Sequence, residues 1–223
     1  QAIKEYLIYL ENNPKNIRLI TQRIMLLTDN LTSINIIKNE LDKSQLTESK
    51  IILSKLEFKL KNYEQSYNIL KDIADSDKYK LELSEDLIKL KNYTLAHKVI
   101  DNILGSSNNK KILNQAIIQL ANLYELKTTE SSSNFPISKD IYKNQILNSP
   151  FIKINTENSE LLLKAINIYD SLSTYGKDYK STLHLAGIKY KIYKDLDGAE
   201  QIYNNLLDKN IPLEYKHKAI IDL

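Results

Sequence analysis

Hydrophobic positions along the chain recur at helical spacing in short runs, and each run is closed by a few polar residues. The pattern predicts helices at 2–11, 15–28, 31–42, 46–60, 63–75, 78–91, 94–104, 109–127, 157–174, 178–193 and 196–208, with a last one starting at 213. Two stretches, "KLKNYEQSYNIL" (59–70) and "KLKNYTLAHKVI" (89–100), are near copies, and "YKDLDGAEQIYNNLL" (193–207) has the same shape. In each, an apolar residue precedes a polar turn around Asn62, Asn92 or Asp195. A new helix follows, with a small residue, Ser66, Ala96 or Ala199, in its early part.

Twelve residues upstream of each small residue stands another: Ser54 before Ser66, Ser84 before Ala96, Gly187 before Ala199, and more weakly Thr21 before Ser33. Each unit therefore reads as a helical hairpin with a small residue on both arms. Small side chains let two helix backbones cross closely, and larger ones such as Tyr190 and Tyr203 fill the space one turn away. This arrangement resembles the tetratricopeptide repeat family, whose unit of about 34 residues is a helix-turn-helix. The resemblance is carried best by "LHLAGIKYKIYKDLDGAEQIYNNLL", with Leu183, Ala186, Gly187, Tyr190, Ala199 and Tyr203 at the family's spacings, and by "AINIYDSL" (165–172), whose Ala165 lies 34 residues before Ala199. Ala2, Tyr6, Leu10 and Pro14 match the end of a repeat. The chain departs from the family in lacking tryptophan, in central units of 30 to 33 residues, and in Ser or Thr where Gly or Ala is usual. The resemblance implies an all-α fold, a right-handed α-solenoid spanning residues 1–223 that begins and ends midway through a repeat.

Helix types must alternate in such an array, because first helices stack on first helices. The helix at 109–127, marked by Leu120, Ala121 and Tyr124, reads as a first type, and the helix at 157–174 as a second. Their small residues, Ala121 and Ala165, are 44 positions apart instead of 12, so about 32 residues are extra. This places an insertion at 128–156 within one hairpin. Its polar start, "KTTESSSN" (127–134), reads as a tether. The remainder is apolar, with a helix expected at 138–148 between Ser138 and Pro150. Phe135, Ile141, Tyr142 and Phe151 are its candidate docking residues, packing either on the solenoid or on another chain.

Composition narrows the class. Four glycines and four prolines in 223 residues are too few for a sandwich, barrel or doubly wound sheet. The 31 basic and 28 acidic residues are dispersed, giving a net charge of +3 without the concentrated basic stripe expected of a nucleic-acid binder. No cysteine is present, so disulfides, thiolate metal sites and a cysteine nucleophile are excluded. No apolar run is long enough for a membrane-spanning helix, and the cytoplasm and an exported location are equally compatible.

Catalytic and cofactor chemistry finds little support. His97, His184 and His217 are far apart, with no pair at the one-turn spacing of a zinc site. His184 lies on a first helix, but catalysis would need an orienting partner that the sequence does not supply. "YGKDYKS" (175–181) lacks the spacing of a phosphate loop, and Glu85 with Asp86 reads as solvated helix surface. No metal or cofactor is expected, and no enzyme. A solenoid offers instead a concave groove lined by its first helices. Here that surface is expected to carry Arg18, Gln22, Ile51, Lys55, Lys59, Leu81, Glu85, Lys89, Asn122, His184, Ile188 and Lys191. The expected function is a protein-interaction scaffold or adaptor gripping a peptide or protein partner, self-association included. Its alternatives are an accessory segment of a larger enzyme or cell-envelope assembly protein and a helical-repeat RNA binder. In the chaperone-binding members of the family, Lys side chains grip a terminal carboxylate, and Ile51 and Leu81 stand at two of those positions here.

Overall fold

The structure, a computed structural model, describes residues 1–28, 30–130, 159–174 and 178–222. Among these residues there is no strand, and there are twelve α-helices. In the first compact unit, residues 1–113, stand α1 (Ala2–Asn12), α2 (Ile17–Leu26), α3 (Leu31–Lys43), α4 (Thr47–Lys59), α5 (Tyr63–Lys71), α6 (Asp77–Lys89) and α7 (Tyr93–Ser106). Most of α8 (Lys110–Glu130) belongs to the second unit, residues 114–223, with α9 (Ser159–Thr174), α10 (Tyr179–Ile188), α11 (Leu196–Leu207) and α12 (Leu213–Asp222). Phe135, Ile141, Tyr142, Phe151 and the helix expected at 138–148 lie outside the described residues.

In the first unit, one apolar core draws on α1 to α4, from Ile3, Leu7 and Leu10 through Ile20, Ile24, Ile37 and Leu41 to Ile52, Leu53 and Leu56. Burying each such side chain contributes about 1.5–3 kcal/mol relative to leaving it in water. The pairs α4–α5 and α6–α7 pack closely as hairpins, and helices two apart also touch, α1 with α3, α2 with α4 and α5 with α7. That order of contacts is compatible with a helical repeat. Ser54 and Ser66 meet at the α4–α5 crossing and are both buried, as are Ser84 and Ala96. The weakest pair in the sequence gives the loosest hairpin: α3 rests chiefly on α4 and α1 rather than on α2, and Thr21 turns its hydroxyl back to the Ile17 carbonyl at 2.7 Å.

The near-copied turns share one backbone solution. Lys61 and Lys91 adopt φ of 65° and 62°, the left-handed conformation that closes a helix. The Asn62 N–H then donates to the Glu57 carbonyl and the Asn92 N–H to the Leu87 carbonyl, each at 2.9 Å, using carbonyls that the helix end leaves without partners. Lys194 is also left-handed, at 59°, but follows a wider π-helical turn, Lys189–Tyr193, that prolongs α10. Helix α5 stops at Lys71, short of the expected residue 75. The buried Ser76 hydroxyl contacts the carbonyls of Leu70 and Ile73 at 3.0 and 2.7 Å and folds the chain away.

In the second unit, Ala121 and Ala165 share a core with Leu162, Tyr169 and Ile188. A second cluster joins Leu183 and Ala186 to Ala199, Tyr203, Leu206, Ile211 and Ala219. Two expectations change here. Residues 127–130, expected to start a tether, are instead the last turn of α8, with Thr128 buried and its hydroxyl on the Tyr124 carbonyl at 2.7 Å. Gly187 is not a crossing residue, because a Cβ placed there would meet nothing within 4 Å; Ala186, fully buried, makes the contact.

Candidate functional site

Each unit carries a groove lined by alternate helices. In the first, a groove of about 750 Å³ is bordered by Pro14 and Lys15, by Ile17, Arg18 and Thr21 of α2, by Lys55 of α4, and by Lys78, Tyr79 and Glu82 of α6. At its centre the Lys55 ammonium lies 3.0 Å from a Glu82 carboxylate oxygen and 5.3 Å above the Tyr79 ring. Burial, with the charges of Glu82 and Glu48 adding, raises the Tyr79 phenol above its ordinary range. Among the described residues, Lys15, Arg18 and Lys78 have no acidic partner.

In the second unit, a groove of about 470 Å³ is lined by Glu125 and Thr129 of α8, by α10 and its π-helical extension from Lys180 to Ile192, and by Glu214, Tyr215, Lys218 and Asp222 of α12. Helices α9 and α11 contribute no lining residue. Beside it, one carboxylate oxygen of Glu125 accepts the Tyr169 hydroxyl at 2.9 Å and lies 2.8 Å from His184 Nδ1. The Tyr169 and His184 rings stack with centroids 4.8 Å apart and planes 9° from parallel. Glu125 thus fixes the imidazole through Nδ1 and leaves Nε2 as its remaining polar atom. This is the orienting partner for His184 that sequence could not reveal, since Glu125 lies 59 positions away on another helix.

The expected groove residues divide. Arg18 and Lys55 line the first groove; His184, Ile188 and Lys191 line the second. Ile51 and Ile188 are buried, at 4% and 2% exposure, so both serve mainly as core. Lys59 is occupied in holding the end of α2, donating to the Met25 carbonyl at 2.9 Å and the Thr28 hydroxyl at 2.7 Å. Glu85 pairs with Lys89 at 3.0 Å on exposed helix surface, Gln22 is exposed, and Leu81 and Asn122 are half-buried; none of these five borders either groove.

Lys15, Lys78, Tyr79 and Glu82 were missed, together with Glu125, Lys180 and the α12 residues. A crevice between two first helices takes opposite flanks of them: Lys55, just after Ser54 on α4, faces Glu82, just before Ser84 on α6. Taking the same flank of every helix therefore selects Glu85 and Lys89 in place of Tyr79 and Glu82.

Among the described residues, no group of three or more His, Asp or Glu side chains is placed to hold a metal ion. His97 instead pairs with Asp101 at 2.8 Å. No helix among the described residues is long and apolar enough to cross a membrane. Compared with known proteins, the chain matches no family model and no curated protein.

Proposed function

We propose that the chain is a tetratricopeptide-like repeat array that works as a protein-interaction scaffold, holding a peptide or protein partner in the grooves of its first helices. One observation carries this reading: both grooves are lined by alternate helices, α2, α4 and α6 in one unit and α8, α10 and α12 in the other, while the helices between them contribute no lining residue. Alternate lining is what a stack of hairpins offers a ligand. The side chains are held by helices already packed, so binding orders little of the protein and affinity comes from preorganised contacts. On this reading the Glu125–His184 pair presents a ring nitrogen to a bound segment and performs no reaction.

A displayed library of random peptides, panned against the whole chain, tests the proposal. Gly187→Trp projects an indole into the second groove from a position where an added side chain meets nothing, and Arg18→Glu with Lys78→Glu alters the first. Enriched peptides are expected to be lost with one variant or the other, while helicity is retained. Absence of any enriched sequence, or enriched peptides indifferent to both variants, refutes the scaffold reading.

A further inference from the structure

The first-unit groove is electrically unbalanced where the second is not. In the second, Lys218 pairs with Asp222 at 3.5 Å, and the lining carries Glu125, Glu214 and Asp222 along with Lys180, Lys191 and Lys218. In the first, Lys55 and Glu82 neutralise one another, and Lys15, Arg18 and Lys78 remain without an acidic partner among the described residues.

Two of these three cations also stand where the fold disfavours them. Arg18 is the second residue of α2 and Lys78 the second of α6. The first turn of a helix carries the positive end of its dipole, so a cation there opposes the helix that bears it. Acidic side chains at both positions would serve folding better. None of the three cations forms an ion pair among the described residues, yet all three line one concave surface.

We propose that this groove binds an extended acidic peptide segment, its carboxylates held by Lys15, Arg18 and Lys78 around the Lys55–Glu82 pair; the proposal rests on the scaffold reading above and names the chemistry of one partner. Charge complementarity selects the partner's sign and speeds the encounter. Glu82 distinguishes a peptide from a nucleic acid. Its carboxylate accepts hydrogen bonds from peptide N–H groups, whereas it repels the phosphate of a nucleic-acid backbone, and the groove's lining holds no cation beyond these three and the paired Lys55. Tyr79, half-buried beneath Lys55, gives the segment an apolar surface beside its charges.

The test uses the whole chain and fluorescein-labelled octaglutamate, followed by anisotropy at low and raised salt, with octalysine and a thymidylate nonamer as counter-probes. Octaglutamate is expected to bind in a salt-sensitive way, octalysine to be ignored, and the Arg18→Glu/Lys78→Glu variant to bind at least about tenfold more weakly. Because both substitutions place acids in first turns, the variant is expected to keep its helicity and melting temperature. Arg18→Gln/Lys78→Gln, expected to show an intermediate loss, guards against a folding defect. Octaglutamate affinity unchanged by both variants, or a nonamer bound more tightly than the peptide, overturns the proposal. Should library peptides bind and respond to Gly187→Trp while octaglutamate is ignored, the acidic assignment falls and the scaffold reading stands; should neither bind, both fall.

Discussion

The Ser54 hydroxyl donates to the Ser66 carbonyl at 2.8 Å and lies 3.0 Å from the Ser66 hydroxyl, joining α4 to α5 at a point where both side chains are buried. A polar pair in an apolar crossing makes the two residues interdependent, because removing one hydroxyl leaves the other desolvated without its partner. Ser54→Ala is expected to cost about 1 kcal/mol, and the double change Ser54→Ala/Ser66→Ala less than the sum of the singles by about 0.5–1 kcal/mol. Urea unfolding of the four proteins measures this coupling; strictly additive losses would show that the hydroxyls do not act as a pair.

The left-handed lysines predict stabilisation. A side chain at φ near 60° crowds its own backbone by about 1–2 kcal/mol, and glycine escapes that strain. Lys61→Gly and Lys91→Gly keep the Asn62 and Asn92 hydrogen bonds that close α4 and α6. Each is expected to raise the melting temperature by about 2–4 °C, and the two together to add, since the two turns close different helices, α4 and α6. A drop in either melting temperature would mean that the lysine side chain contributes more than its backbone strain takes away.

At the third turn the ordinary glycine rule reverses. The Gly198 N–H donates to Asp195 at 2.9 Å, capping α11, and a Cβ at Gly198 would fall on that same carboxylate. The Lys189 ammonium, 2.7 Å away, and then the Gly198 N–H hold the Asp195 carboxyl below its usual range. Replacing helical Gly by Ala normally gains about 0.5–1 kcal/mol, but here Ala displaces a cap whose loss costs about 1 kcal/mol. Gly198→Ala is therefore expected to be neutral or destabilising, whereas Gly187→Ala, facing open space, shows the normal gain. Equal gains at both positions would refute the cap.

These turns also show what was legible in the sequence. The repeated "LKN" marked the hairpin turns, and the twelve-residue spacing found Ser54 and Ser66, which do touch, because helix packing is written in periods that survive at the level of sequence. The left-handed lysines were not legible, since Lys is not a residue that favours such a conformation and only its recurrence before Asn or Asp gave a signal. Groove membership was half legible. His184 and Lys191 were found from their distance to Gly187, yet Lys78 and Tyr79 depend on which flank of α6 turns toward α4, which is a tertiary fact. Gly187 stands at the twelve-residue spacing before Ala199, and only packing assigns the crossing to its neighbour Ala186.

The alkaline limb of stability follows from Tyr169. Its side chain is fully buried, and burial, reinforced by the Glu125 carboxylate that accepts its hydroxyl, pushes the phenol far above the ordinary tyrosine value. Burial likewise pushes Tyr203 up to about 12. The folded protein then keeps protons that the unfolded chain, whose tyrosines titrate near 10, has already released. The stabilisation is fully present below about pH 10 and is lost as pH rises beyond it, at about 1.4 kcal/mol per pH unit for each such group. Tyr169→Phe removes one of them. At neutral pH it is expected to lose about 1 kcal/mol with the Glu125 hydrogen bond, while above pH 10 its stability falls less steeply than that of the unchanged protein by about 1.4 kcal/mol per unit. Urea unfolding at steps from about pH 7 to 11 measures both slopes. Parallel slopes would show that the Tyr169 phenol ionises in the folded state as readily as in water, contrary to its place beneath His184.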